Sequence, residues 1–594
     1  MKLARLLPLL LISTLAISAC GKDETTDAAA GSSSKNNLLT LVPANTPYLG
    51  GSLAPVPDTI IDSYLKRFEP ALTSLQVELN KAKLQREANP DELADDPAAR
   101  IAHVVLLELD GKLNRAGLES LGFDISSQSV VYGMSAFPVA RMSLSDAATL
   151  RATVQRVLDS AEVKVPSHEF QGQSYWRFIP EMHDYDENGD VVIDGDEKTD
   201  DPADAIGFYL AILEDHMVLG MLPVFAESSF LPALLALEKP ASSSAESTLM
   251  DINRRFAYTP HGSGVIDFQK LADEITNPDS MAGQFVSRSG HDLAELNTDQ
   301  CRQEINTIIA HTPRAYSGIK EFSETLVGSQ IVVENESSLA AELVKLVADV
   351  PVANAKSSFL AEFALGIKTG PLRDFLRSKT TAIIEQPYQC AVLAQVNEQA
   401  QNANDQLNQP LPPLVNNLLG LRVAISRFGR GQSAPESAEG LIALHVTQPE
   451  MLIGMAQMLL PNLADLNMAA GEPAVRVPAD MIPMPDLVLY AAQSTSAIGI
   501  SVGEGEQNAL LDFINQAGKA NGTFLSVNYD MATYMDITGQ MGADDSVDDK
   551  HFNASNIAKQ FQEVQKQVMD RSDTRLSFTK DGFVMDSKLS FKNP

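Results

Sequence analysis

Two hydrophobic periods take turns along this chain. Stretches such as "VVYGMSAFPVARMS" from Val130 and "FYLAILEDHMVLGML" from Phe208 alternate with a period of two, and each predicts a β-hairpin. Between them, "LRATVQRVL" from Leu150, "LPALLAL" from Leu231 and "NALLDFINQ" from Asn508 place apolar residues three and four apart, the spacing of a helix with one buried face. The hairpin at Phe208 turns at Glu214-Asp215, and the helix after Val130 is expected to be capped near Ser145.

The order of these elements occurs twice. "TPYLGGSLAPVPDTIIDSYLKRF" from Thr46 and "SFLAEFALGIKTGPLRDFLRSKT" from Ser358 both read as strand, turn and amphipathic helix. The hairpin and helix from Val130 match "LRVAISRFGRGQSAPESAEGLIALHVTQPEMLIGMAQMLL" from Leu421. The stretch from Phe208 matches "LVLYAAQSTSAIGISVGEGEQNALLDFINQ", and "GVIDFQKLADEI" matches "LSVNYDMATYMDI". Each half closes with a helix and a hairpin, "CRQEINTIIAHT" with "GIKEFSETLVGSQIVVE" and "IAKQFQEVQKQVMD" with "RLSFTKDGFVMDSKLSFK". Shared order at a long period points to duplication. The predicted fold is α+β, with two tandem repeated lobes over 39–352 and 353–594. Each lobe is expected to be a mainly antiparallel sheet with helices packed on one face. The strand from Val265 to Phe268 should correspond to the one around Leu525 to Tyr529.

The amino terminus, "MKLARLLPLLLISTLAISACGKDE", carries Lys2 and Arg5 and then an apolar run from Leu6 to Ile17. That run is too short to span a bilayer and suits a signal-peptide core. It ends at Ile17-Ser18-Ala19-Cys20, which looks like a bacterial lipobox with Cys20 as the lipidated residue. Residues 1–20 are therefore expected to be a lipoprotein signal peptide. Residues 21–38, including "DETTDAAAGSSSKNN", are expected to form a flexible tether. Gly21 stands where an aspartate is the usual inner-membrane retention signal in such lipoproteins. The likeness therefore implies the outer membrane, on its periplasmic face.

At "VPANTPYLGGSLAPVP", Val42 to Pro57, the chain resembles a group of uncharacterised bacterial (proteobacterial) lipoproteins. They share a Val-Pro-Ala-x-Thr-Pro-Tyr start after the tether and a Pro-x-Pro shortly beyond. "CRQEINTIIAHTPR" is also similar to theirs. The resemblance implies no particular activity.

Composition is that of a globular body, 44% hydrophobic and 21% charged, but the formal charge is −32. Loss of Lys2 and Arg5 with the signal peptide makes it more negative still. Such a chain repels nucleic acid and anionic headgroups, so nucleic-acid binding is excluded. With Cys20 acylated, Cys301 and Cys390 remain in an oxidising compartment and are expected to pair, stapling the lobes together. Free thiols or a redox couple are the alternative, without a Cys-x-x-Cys motif to support them.

Candidate chemistry is sparse. Ser63-Tyr64-Leu65-Lys66 and Lys368-Thr369-Gly370 are similar to motifs of serine penicillin-binding enzymes. They fall in corresponding parts of the two halves, and Ser526-Val527-Asn528 follows in the wrong chain order. "HGSG" at His261 reads as a turn. His445, in the apolar strand "LIALHV", reads as a satisfied core or edge residue rather than a ligand. Trp176 is the single tryptophan, which weakens a carbohydrate-stacking site.

One acidic stretch, "HDYDENGDVVIDGDE" from His183, has the spacing of a calcium loop. Asp184, Asp186 and Asn188 take the first, third and fifth places, Gly189 makes the turn and Asp190 offers a carbonyl. The twelfth place holds Gly195 instead of a bidentate glutamate, leaving Asp194, Asp196 or Glu197 to substitute. The expectation is a solvated loop between two strands, with weak calcium binding as the alternative and no other cofactor. The expected function is a non-enzymatic binding or scaffold module, anchored to the membrane by its lipid, with an envelope protein or apolar ligand as partner. The alternative is an envelope hydrolase whose residues converge only in three dimensions.

Overall fold

The computed structural model describes residues 36–593 except 70–96, 113, 164, 180–204, 291–292, 355–356, 411, 431–434, 460–462, 464–465, 467, 483–486, 519–520 and 542–561. The fold is α+β, and among the described residues its strands join into one sheet of nineteen. In the first half these are β1 (Tyr48–Gly51), β2 (Ser129–Met134), β3 (Phe137–Ser143), β4 (Ser167–Phe170), β5 (Gln173–Phe178), β6 (Ile206–Ile212), β7 (His216–Pro223), β8 (Ser263–Asp267), β9 (Arg314–Ser323) and β10 (Leu326–Glu334). In the second they are β11 (Ala361–Gly366), β12 (Leu418–Arg430), β13 (Pro435–Val446), β14 (Val475–Arg476), β15 (Leu489–Gln493), β16 (Ala497–Val502), β17 (Thr523–Asp530), β18 (Met569–Thr579) and β19 (Gly582–Phe591).

Every ladder between these strands is antiparallel. Across the sheet the order is β4-β5-β6-β7-β3-β2-β1-β8-β9-β10-β19-β18-β17-β11-β12-β13-β16-β15-β14. The expectation of a separate sheet for each lobe is therefore corrected. β10 and β19 pair along their whole lengths, from Leu326 opposite Ser590 to Glu334 opposite Gly582, and make the sheet continuous. Unpaired edge strands expose backbone donors and acceptors, and this pairing removes two such edges.

Local chemistry sets the element ends. Asp146, one residue after the expected Ser145, caps helix Ala147–Ser160 by accepting the amides of Ala148 and Thr149. The predicted strand at Val265 begins two residues earlier, at Ser263. It stops before Phe268, because Asp267 accepts the Lys270 amide and starts a helix there.

Helices cover both faces of the first half, not one. Phe230, Leu231 and Leu234 of helix Glu227–Leu234 join Leu249 of helix Ala245–Phe256 over Leu49, Val130, Val139, Tyr209 and Val218. Leu150 of helix Ala147–Ser160 packs on Trp176 and Ile212, with Leu210 and Met217, from the opposite side. Side chains alternate between sheet faces, so these are two separate layers. In the second half, helix Gln507–Asn515 places Leu510, Phe513 and Ile514 over Ala424, Leu441, Ala443 and Ala497.

Cys301, in helix Asp299–His311, is bonded to Cys390, with Cα atoms 4.6 Å apart and a sequence separation of 89. The expected pairing is correct. Among the described residues, no helix is long and apolar enough to cross a membrane.

Candidate binding face

The strands of the second half sort their residues unusually. Apart from Leu441, the face under helix Gln507–Asn515 is lined by small and polar side chains. Glu362, Ala364, Arg422, Ala424, Ala443, His445, Ala497 and Ser501 are all buried there. Small residues let the helix come close. A Cβ built on Gly499 would stand 2.5 Å from Ile514 Cγ2 and 2.8 Å from Leu510 Cδ1, so no larger residue fits without displacing the helix.

The large aliphatic side chains point the other way. One registered row crosses eight adjacent strands: Ile331, Met585, Leu576, Leu525, Leu365, Leu421, Leu444 and Ile498. A second row runs beside it through Val527, Phe363, Val423, Ile442 and Ile500. A third, through Tyr529, Ala361, Ile425 and Val502, flanks that. These residues are half-buried or exposed, and Ile331, Ile442 and Ile500 each keep 38% of their surface in water. An antiparallel sheet with one wet face ordinarily turns polar residues outward. This one turns Leu, Ile, Val and Phe outward over roughly 30 by 20 Å, taking strand and side-chain spacings of ~4.8 and ~6.8 Å. A patch of ~600 Å² is at the upper end for a monomer, where the largest apolar patch is often functional. At the junction, Phe524 stacks on Phe578 with centroids 4.6 Å apart, beside Phe583, and extends the apolar rim.

The inner face is held by a buried ion pair. Arg422 and Glu362 are 1% and 2% exposed at the side chain and meet at 2.7 Å. Arg422 also donates to the Phe513 carbonyl at 2.9 Å and to Gln516 Oε1 at 2.9 Å, and its guanidinium lies 4.0 Å above the Phe513 ring centre. Glu362 accepts the Asn354 amide at 3.0 Å. The arginine thereby ties strands β11 and β12 to the end of the covering helix, where carbonyls lack intrahelical partners. Burial pulls the Arg422 pKa below its ordinary value. His445 stands on the same face. Burial, reinforced by the Arg422 charge, pushes it down to about 4, so it is neutral at pH 7. Its Nε2 finds no hydrogen-bond partner among the described residues. His445 is thus a core histidine, as expected, but not a satisfied one.

A second buried arginine does comparable work in the first half. Arg141 donates to the Ala233 and Leu234 carbonyls at 2.8 and 3.0 Å, closing helix Glu227–Leu234, and to Tyr132 Oη at 3.1 Å. Its Nη1 lies 2.8 Å from His216 Nε2, whose Nδ1 is 2.6 Å from Asp215. The network assigns the ring proton to Nδ1, leaving Nε2 to accept from the arginine. Burial lowers the His216 pKa, which keeps the ring neutral. This Asp-His pair has the outline of a general base. Its accepting nitrogen is already occupied by a guanidinium N–H, so it serves the core.

The other sequence candidates are not brought together. Lys368-Thr369-Gly370 opens helix Thr369–Glu385 instead of lying on a strand. Lys368 Nζ bonds the Lys345 carbonyl at 3.3 Å, and the Thr369 hydroxyl bonds the Val415 and Leu418 carbonyls. Ser63 and Lys66 lie in the helix over residues 58–69. Ser526 is buried and accepts the Ala353 amide at 2.7 Å. His261 is buried at the turn before β8 and bonds the backbone at Ala54 and Pro55, with burial lowering its pKa. Trp176 is a core residue. A shallow depression of about 420 Å³ along helix Thr369–Glu385 is lined by Asp374, Arg377, Ser378, Thr381, Ala382 and Glu385, all from one helix. Cys20 lies outside the described residues, as do the calcium candidates Asp184, Asp186, Asn188, Asp190, Asp194 and Asp196. Among the described residues, no group of three or more His, Cys, Asp or Glu is placed to hold a metal ion.

No protein-family model matches this chain, and no curated protein or solved structure matches it.

Proposed function

We propose that this protein is an outer-membrane lipoprotein of the bacterial envelope, held by acyl chains on Cys20. Its role is that of a non-enzymatic binding or scaffold module, whose working surface is the aliphatic face of β10, β19, β18, β17, β11, β12, β13 and β16. The carrying observation is the unbroken row from Ile331 to Ile498, turned away from the helical layer. Covering such a surface removes apolar area from water, the main driving force for association. The net charge of −32 works against a partner that places negative charge at the contact itself.

We further propose that the chain is a tandem duplication of the lobes 39–352 and 353–594. The support is the strand order. Reading inward from each end of the sheet, β5-β6-β7-β3-β2-β1-β8-β9-β10 has the same sequence of connections as β14-β15-β16-β13-β12-β11-β17-β18-β19. Among the described strands, only β4 lacks a counterpart. The acidic stretch around Asp184 is read as an insertion in the first lobe that binds calcium weakly at most.

A neutral apolar dye tests the working surface. In dilute solution, where the face is uncovered, Nile red should bind the protein, and Ile442→Lys or Ile500→Lys should remove most of that binding while leaving circular dichroism unchanged. Undiminished dye binding in both variants would refute the assignment of the face.

A further inference from the structure

The sorting of side chains on β11, β12, β13, β16 and β17 states what shape of partner the face accepts. In a β-sandwich two sheets meet through rows of interdigitating aliphatic side chains about 10 Å apart. Here one such set of rows is present, with small residues and a helix behind it.

We propose that the second sheet is supplied by a second copy of this chain, packed face to face about a two-fold axis. This rests on the reading of the face as a docking surface, and three observations favour a second copy as its occupant. The first is area. A contact of ~600 Å² on each copy gives ~1,200 Å² in total, above the ~1,000 Å² that a specific interface needs. The second is backbone chemistry. A sheet brings its N–H and C=O groups already paired, whereas an extended peptide laid across Leu421, Ile442 and Ile500 would bury unpaired ones. The third is charge. The three rows contain no ionisable group apart from the Tyr529 phenol. Arg427 and Glu439, in the neighbouring hairpin extension, are paired with each other. The −32 net charge therefore acts on the dimer at long range rather than across the contact.

An isologous contact of this kind has a distinctive salt response. Apolar burial drives it and like charge opposes it, so added salt tightens it, the reverse of a contact made by ion pairs. The mass of the mature chain carrying Cys20→Ser, which removes only the acylation site, is measured by sedimentation velocity over a concentration series at low and high salt. The expected result is a reversible dimer that strengthens with salt. Val423→Lys or Ile442→Glu should raise the dissociation constant ~100-fold or more, because each buries an unpaired charge. Ile500→Asn, a milder change, covers the case in which a charged variant melts early.

A dimer unaffected by any of the three variants would overturn the proposal, since the interface would lie elsewhere. So would a monomer at ~0.1 mM, below which a stable interface of this size should already have formed. In that event Nile red binding separates the two claims. A monomer whose dye binding is lost in the variants keeps the face as a docking site for a hydrocarbon ligand and sinks only the dimer. A monomer with no variant-sensitive dye binding sinks both.

Discussion

Glu304 stands one turn beyond Cys301 in the same helix and accepts the backbone amide of Cys390 at 3.0 Å and that of Gln389 at 2.9 Å. The disulfide partner is thus gripped twice, once by sulfur and once by a carboxylate aimed at its main chain. The Gln389 amide is the chief cause of the lowered Glu304 pKa. Closing a loop of 89 residues is worth about 4–5 kcal/mol in the chain-entropy model. Cys301→Ser/Cys390→Ser should lower the unfolding midpoint clearly under non-reducing conditions, and Glu304→Ala by less. Peptide mapping should find the two cysteines joined, whereas alkylatable thiols in native protein would contradict the link.

The Arg422–Glu362 pair should be asymmetric to mutation. Removing one partner strands a buried charge, so Glu362→Leu or Arg422→Met should each cost about 3–5 kcal/mol in chemical denaturation. The double variant should cost much less than the sum, because the charge that was stranded is gone. Additive losses would mean that the two groups do not depend on each other.

Acid should destabilise the protein through His445. Its folded pKa of about 4 lies below the ordinary value of 6.5, so the unfolded chain binds the proton first as pH falls. The stability contributed by the neutral ring is fully present above about pH 6.5 and is lost progressively down to about pH 4. A displacement of that size corresponds to about 3 kcal/mol. His445→Gln should flatten the pH dependence of the melting temperature over that window. His216 and His261 are shifted in the same direction, so the wild-type slope is a sum and the variant removes one part of it. An identical slope in wild type and variant would contradict the assignment.

With acyl chains on Cys20 as the proposed anchor, Cys20→Ser should release the protein from membranes. Fractionation of the envelope decides this. A variant that is processed normally and still sediments with the outer membrane would show that the anchor is elsewhere.

Much of the fold is legible in the sequence. The hairpins at Val130 and Phe208 and the helices that follow them are written in their periods, and the Cys301–Cys390 bond follows from cysteine count and compartment. The joining of β10 to β19 was not legible. Edge pairing is made by backbone groups and leaves no mark in side-chain type. The two-sided character of the aliphatic face was legible in principle. "AEFALG", "LRVAIS", "GLIALH" and "AIGISV" each set Phe, Leu, Val or Ile on one side and Ala, Gly, Ser, Arg, His or Glu mostly on the other. Period alone says that two faces differ but not which is covered. Hydrophobicity would put Leu421 and Ile442 inside, whereas the close approach of Ile514 to Gly499 requires the small face there.

The central claim is that the row from Ile331 to Ile498 is covered when the protein is at work. Carbene footprinting read by mass spectrometry tests it directly, comparing the lipoprotein in native envelopes with dilute purified protein. Leu421, Ile442 and Ile500 should label several-fold less in the envelope, while Ile308 and Val392, exposed elsewhere on the molecule, should label equally in both. Equal labelling of the face in both states would mean that nothing docks there and would contradict the account.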